Sequence, residues 1–286
     1  MSKIITNTKV KKTANASARF GDDLGLGKHQ DYPDQYNPEL LQPIARELCR
    51  QHLPQLSFKG VDIWTGYELS WLDENGKPKV AIAEFSVPAE STNIIESKSF
   101  KYYLNSFNQT RISQSELINH LSFDLSEAAG AQVNIQLFTM DQYQHPPSQL
   151  PGFQCVDNLA LAQPCYQHNA DFLQAVSITP KAQHLCSHLL KSNCPVTGQP
   201  DWASVWINIE GVSVKPEDFL AYIVSFREHQ DFHENCVEQI YCDLRQQLSP
   251  TALWVYARYT RRGGLDINPF RSHKKMQPPR VKGARQ

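Results

Sequence analysis

No stretch of this chain is apolar for long enough to cross a membrane, and the opening "MSKIITNTKVKKTANASARF" is basic but lacks the apolar middle of a secretion signal. The expectation is a cytoplasmic protein with no membrane partner. Net charge is nearly absent as well. The 28 Lys+Arg stand against 29 Asp+Glu, which argues against a broad phosphate-gripping surface and hence against direct contact with nucleic acid. The seven cysteines are odd in number and scattered, so free thiols are expected rather than a disulfide framework. Gly21, Gly25 and Gly27 miss the GxGxxG spacing of a dinucleotide-binding turn. His233 and Glu234 open like an HExxH zinc helix, but Val237 stands where the second His is required.

What is present is enough apolar material, 41% of 286 residues, to bury one large core or two ordinary ones. Residues 1 to 55 are polar and turn-rich and read as an irregular N-terminal arm without assigned chemistry. From residue 61, "VDIWTGYELSWL" and "KVAIAEFSVPA" flank an Asn-Gly turn and predict a hairpin. Two helices, "SKSFKYYLNSF" and "SQSELINHLSFDLSEAAG", and a strand, "AQVNIQLFTM", follow. The second half runs "WASVWINIEG", helices "KPEDFLAYIVSF" and "HENCVEQIYCDLRQQL", then "ALWVYARYT". A shift of 119 residues lays Phe100, Tyr103, Ser106 and Phe107 on Phe219, Tyr222, Ser225 and Phe226, and Asp124 on Asp243, which points to duplication. The copies differ in charge. Glu96, Lys98 and Lys101 belong to the first, His233 and Glu234 to the second, which suits either a composite site between the halves or ordinary surface drift.

Cys194 sits in the polar turn "KSNCPVTGQPDW" before a strand. It reads as a nucleophile, a metal ligand or a small buried side chain, and the nucleophile needs a base or a charge beside it. Asp201 and His233 are the candidates, with Asp201 a proton donor if desolvation or the thiolate raises its pKa. His184, Cys186, His188 and Cys194 have zinc-ligand chemistry, but "KAQHLCSHLLKSNC" looks helical and no metal is expected. Arg258, Arg261 and Arg262 beside a Gly-Gly turn suit a phosphate or a solvated basic loop. Cys236, three residues after His233, shares its helix face and is a candidate thiol partner for Cys194.

Together, "ESKSFKYYLNSFNQT", "NCPVTGQPDW", "SFREHQDFHENC" and "YTRRGGLDINPF" resemble the NADPH-dependent 7-cyano-7-deazaguanine reductases, nitrile reductases of queuosine biosynthesis, in their bimodular form. The resemblance spans residues 55 to 275. It implies an α+β protein of two tandem tunnelling-fold modules, 56–165 and 166–286, with antiparallel sheets and paired helices on one face. It also implies a homodimer and NADPH as cofactor. By resemblance Cys194 is the nucleophile, Asp201 the proton donor, and His233 the residue assisting hydride and proton movement. Glu96, Glu234, Ile95, Ser97 and Phe232 would surround the deazaguanine, with His233 also at that wall. Ser97, Lys98, Arg262 and Gly263 would hold NADPH. A zinc-dependent cyclohydrolase-like enzyme and a non-catalytic purine-binding module on the same fold are the alternatives.

Overall fold

The computed structural model describes residues 32–54 and 57–286, so Gly21, Gly25 and Gly27 lie outside the described residues. The first half runs β1 (Pro43–Ala45), α1 (Arg46–Arg50), β2 (Lys59–Leu72), β3 (Pro78–Pro88), β4 (Asn93–Ile95), α2 (Ser97–Asn105), α3 (Gln114–Ala129) and β5 (Asn134–Phe138). The second runs β6 (Gln154–Cys155), β7 (Ala175–Asn193), β8 (Pro200–Val214), α4 (Pro216–Ser225), α5 (His233–Leu248), β9 (Ala252–Tyr259) and β10 (Leu265–Ser272). Eight strands form one sheet in the order β5-β3-β2-β10-β9-β8-β7-β6, while β1 and β4 make a separate ribbon. Neighbours are antiparallel except β6 with β7. The class is α+β.

Local chemistry accounts for these elements. The β2–β3 hairpin closes where Asp73 Oδ1 accepts from the N–H groups of Asn75 and Lys77, with Gly76 at φ 79°. Helix α3 opens on a reciprocal Ser113–Glu116 capping box and stops at left-handed Gly130. Alternation along the strands then sends apolar side chains to one face. There α2 and α3 pack through Phe100 and Leu121 on Trp64 and Phe85, and α4 and α5 pack through Phe219 and Ile240 on Val205 and Ile207. Truncating a fully buried Phe at either place costs about 3–5 kcal/mol.

The 119-residue offset reappears as contacts. Tyr103 donates to Asp124 Oδ2 at 2.6 Å and Tyr222 donates to Asp243 Oδ2 at 2.6 Å. Ser106 and Ser225 each donate to the carbonyl of that tyrosine, again at 2.6 Å. Residues aligned by sequence shift thus make the same bonds in each half.

Two expectations need correction, and one strand is added. The stretch read as helical, 181–194, is strand up to Asn193, the second part of β7, with Cys194 in the turn that follows. Register shifts against β8 between Thr179 and Gln183, and between Ser187 and Leu190, break its alternation, so Leu185 and Leu190 both reach the helix-side core although five residues apart. Residues 265–272, which follow the Gly-Gly turn and had no element assigned, form β10, which pairs with β2 along its whole length. Its Pro269 reads against a strand, but β9 pairs only with Phe270, Arg271 and Ser272, so on that side Pro269 behaves as an edge residue. The arm is not irregular where described, because Arg46 and Arg50 of α1 enter a buried ion cluster. Arg46 meets Asp62 at 2.6 Å, Arg50 meets Glu238 at 2.7 Å, and fully buried Arg271 bridges Asp62 and Glu238 at 2.7 and 2.8 Å. This cluster ties the arm to β2, β10 and α5.

Candidate active site

The β7–β8 hairpin carries Cys194 at its tip. Cys194 N–H donates to Gln199 O at 2.8 Å and Gly198 N–H returns to Cys194 O at 3.0 Å, so the seven-residue spacing brings Asp201 back beside the turn. Asn193 then locks the hairpin to the segment before α5, donating to His229 O at 2.8 Å and accepting from Asp231 N at 3.2 Å. The result is that His233, first residue of α5, faces Asp201. Its Nε2 lies 3.3 Å from Asp201 Oδ2, and its ring stacks on Tyr259 with centroids 3.8 Å apart and planes 1° from parallel. Its Nδ1 is buried without a hydrogen-bond partner among the described residues. Arg262 Nη1 donates to the other Asp201 oxygen.

These groups open onto a cavity of about 610 Å³ that Cys194, Asp201 and His233 line together with Ile95, Glu96 and Ser97. Phe232 and Glu234 from the second half, and Lys98, Arg262 and Gly263, line it too. Every residue expected at the site is therefore in one chamber, of a size that suits a small-molecule ligand. Trp64, Leu265 and Ile267 add apolar wall.

Electrostatics separate the carboxylates. Burial would push the Asp201 carboxyl up, but the hydrogen bond and charge of His233, with Arg262 beside them, outweigh it and hold it below its ordinary value. The condition set for Asp201 as a donor, a raised pKa, is thus not met by Asp201 alone. Glu234 shows the reverse. Burial first, then the nearby Asp62 charge, push it up to about 8. Glu96 is the N-cap of α2, its two oxygens accepting from Lys98 N at 2.9 Å and Ser99 N at 2.6 Å. It reaches a ligand only with its remaining lone pairs.

Of the three arginines near the Gly-Gly turn, Arg262 alone lines the cavity. Arg258 is buried beside Tyr256 Oη at 3.2 Å, and Arg261 lies over the Tyr67 ring at 4.5 Å. The turn itself needs its glycines, since Gly263 and Gly264 both have positive φ and a Cβ on Gly264 would run into the Glu68 carboxylate. Lys101, named with the first copy's charges but absent from the residues expected to hold the cofactor, lines the chamber; burial, then Arg262, lower its pKa, while Glu96, Asp201 and Cys194 act in the opposite sense. Its position three residues after Lys98 on one helix was the available signal. Tyr32 and Asp231 also line the wall and carried no such signal. Cys236 is buried, its thiol pushed up to about 12 by desolvation and facing Tyr259 and Ser192.

Two family models match the chain. Residues 32–137 match the model described as "Nitrile reductase, 7-cyano-7-deazaguanine-reductase N-term", and residues 200–278 match "QueF-like protein". A protein of Teredinibacter turnerae named NADPH-dependent 7-cyano-7-deazaguanine reductase is 57% identical over 252 residues, covering 87% of this chain and 91% of that protein. The chain belongs to the NADPH-dependent 7-cyano-7-deazaguanine reductase family. A protein of the same name from Saccharophagus degradans is 53% identical over 87% of this chain and 94% of its own. One from Chromobacterium violaceum is 49% identical over 95% of this chain and 100% of its own. The family is one of oxidoreductases, and no helix among the described residues is long and apolar enough to cross a membrane.

Proposed function

We propose that this chain reduces the nitrile of 7-cyano-7-deazaguanine to the aminomethyl group, a four-electron reduction consuming two NADPH, in the biosynthesis of a modified tRNA base. The observation that carries this reading is the convergence of a hairpin-tip thiol, the Asp201–His233 pair and a buried carboxyl in one chamber. Cys194 Sγ adds to the nitrile carbon, giving a thioimide in which the former triple-bond nitrogen needs a proton. Asp201 passes that proton on from His233 Nε2, so the acid is the pair rather than the carboxyl alone. The Tyr259 stack keeps the imidazole plane fixed while its charge changes. Glu234 and the free lone pairs of Glu96 accept from the N–H groups of the guanine-like edge, which would otherwise be buried unpaired.

The residues present fit NADPH. Lys98, Lys101 and Arg262 put positive charge on one wall, and Gly263 leaves its backbone open. Because Glu96 already caps α2, cofactor phosphates would rest on side-chain cations rather than on the helix end. NADPH, when bound, supplies one hydride per molecule, and two molecules complete the reduction. Cys194 is released again as the thiol.

Two tandem tunnelling-fold modules, 56–165 and 166–286, assembling as a cytoplasmic homodimer, are the frame in which we place this chemistry, without direct contact to nucleic acid. The test is intact-mass measurement of full-length protein mixed with the nitrile and no NADPH. A one-to-one adduct on the wild type and none on Cys194→Ala is expected. An adduct on Cys194→Ala would reject the assigned nucleophile.

A further inference from the structure

On the sheet face away from the helices, and outside the catalytic chamber, the sulfurs of Cys155 and Cys186 and a ring nitrogen of His188 all lie within 4.8 Å of one another. The strand nature of 181–193 creates this arrangement. Cys186 and His188 alternate onto one face of β7, and β6 pairs in parallel so that Cys155 stands opposite Cys186. The helical reading that set zinc aside would have turned Cys186 and His188 away from each other. We propose that Cys155, Cys186 and His188 form a binding site for a thiophilic divalent cation, zinc by preference, with a fourth position open to solvent beside exposed Cys155.

The donor set is the soft, mixed S/N type that zinc takes. Ligand atoms around tetrahedral zinc stand roughly 3.3–3.8 Å apart, so the set closes by a small inward movement, for which exposed Cys155 has the room. The imidazole is already held. Ser204 Oγ lies 2.8 Å from His188 Nδ1, which leaves the other nitrogen for an ion. The His188 backbone N–H donates to Asp157 Oδ2 at 3.0 Å, and Ser187 Oγ donates to Asp157 Oδ1 at 2.7 Å, bonds that hold the strand here. A partner on the second ring nitrogen, as Ser204 is, orients a ligating histidine. Two thiolates and a neutral imidazole balance the charge of the ion. Strand β6 has only two paired residues, so an ion here would clip the segment linking the two halves to the edge of the sheet.

The experiment titrates cobalt(II), a spectroscopic stand-in for zinc, into full-length Cys194→Ala protein kept reduced, the catalytic thiol being removed so that it cannot compete. One cobalt per chain with a thiolate-to-metal band, displaced by zinc, is expected. Adding Cys155→Ser should abolish the band, and adding Ser204→Ala should weaken binding about tenfold or more. Zinc should raise the melting temperature of the Cys194→Ala protein and not that of its Cys155→Ser derivative. Cys155 is exposed, and circular dichroism of that derivative checks that the fold is intact. Absence of a thiolate band from folded Cys194→Ala protein, or an unchanged band after Cys155→Ser, overturns the proposal.

Discussion

His233 Nε2 lies 3.3 Å from Asp201 Oδ2 while Arg262 holds the other carboxylate oxygen. The imidazole and the guanidinium, one on each carboxylate oxygen, outweigh burial and hold the Asp201 carboxyl below its ordinary pKa.

Removing the carboxylate between them breaks this arrangement. Asp201→Asn should slow adduct formation about 10²–10⁴-fold, read by rapid-quench mass measurement, while a Cys194→Ala, Asp201→Asn protein still binds the nitrile. An adduct forming at the wild-type rate would place the acid elsewhere. Linkage gives a second readout. A folded-state pKa below the unfolded one contributes stability present above about pH 4 and lost as pH falls through the folded value. Arg262→Gln removes part of the depression, so acid unfolding should begin at higher pH.

The legible part of this molecule was the local part. Helix α5 starts and stops where its apolar period does, and Tyr103, Asp124, Tyr222 and Asp243 align by a constant offset because each pair is a short-range helix–helix bond. Cys194 and Asp201 were legible because one hairpin carries both. What sequence hid was set by distant partners. That Arg262 also meets Asp201 could not be read from sequence, because the two stand 61 residues apart and only the fold brings them together. β7 reads as a helix because bulges, invisible in composition, reset its alternation. Arg46 and Arg50 read as arm charges because their partner Glu238 is 188 residues beyond Arg50.

That cluster gives the next prediction. Arg271 is fully buried between Asp62 and Glu238, and Glu238 lies one turn after Glu234 on α5. Arg271→Met leaves two buried carboxylates short of a partner and should cost about 3–5 kcal/mol in urea unfolding. Lys59→Met, at an exposed pair with Glu90, should cost at most about 1 kcal/mol. Similar costs for the two would mean that the cluster does not anchor α5.

The cation wall separates cofactor from nitrile. Lys98→Ala and Lys101→Ala should each raise the KM for NADPH severalfold and change nitrile affinity less, measured by steady-state kinetics and by calorimetry with the Cys194→Ala background. Lys101 should have the larger effect, since it is half-buried beside the charges of Arg262 and Glu96 whereas Lys98 lies 5.5 Å over the Tyr102 ring. Equal loss of both ligands in both variants would remove the division between the walls.

Glu234 trades stability for binding, and pH exposes the trade. Burial and Asp62 raise its pKa from 4.5 to about 8, so the folded state holds this proton more tightly than the unfolded chain does. Below about pH 4 the carboxyl is protonated in both states and costs nothing extra; between the two values the unfolded chain ionises first and stability falls; above about pH 8 the full penalty is present. Glu234→Gln keeps the shape without the charge. Its melting temperature should match the wild type near pH 4 and exceed it increasingly toward pH 8. Nitrile binding should move oppositely. The guanine-like edge offers N–H donors to a carboxylate, so wild-type affinity should rise with pH toward 8, and Glu234→Gln should lose that rise together with about 1.5–3 kcal/mol of binding. Parallel melting curves at all pH values, or an affinity rise that survives in Glu234→Gln, would show that this carboxyl neither strains the fold nor holds the ligand.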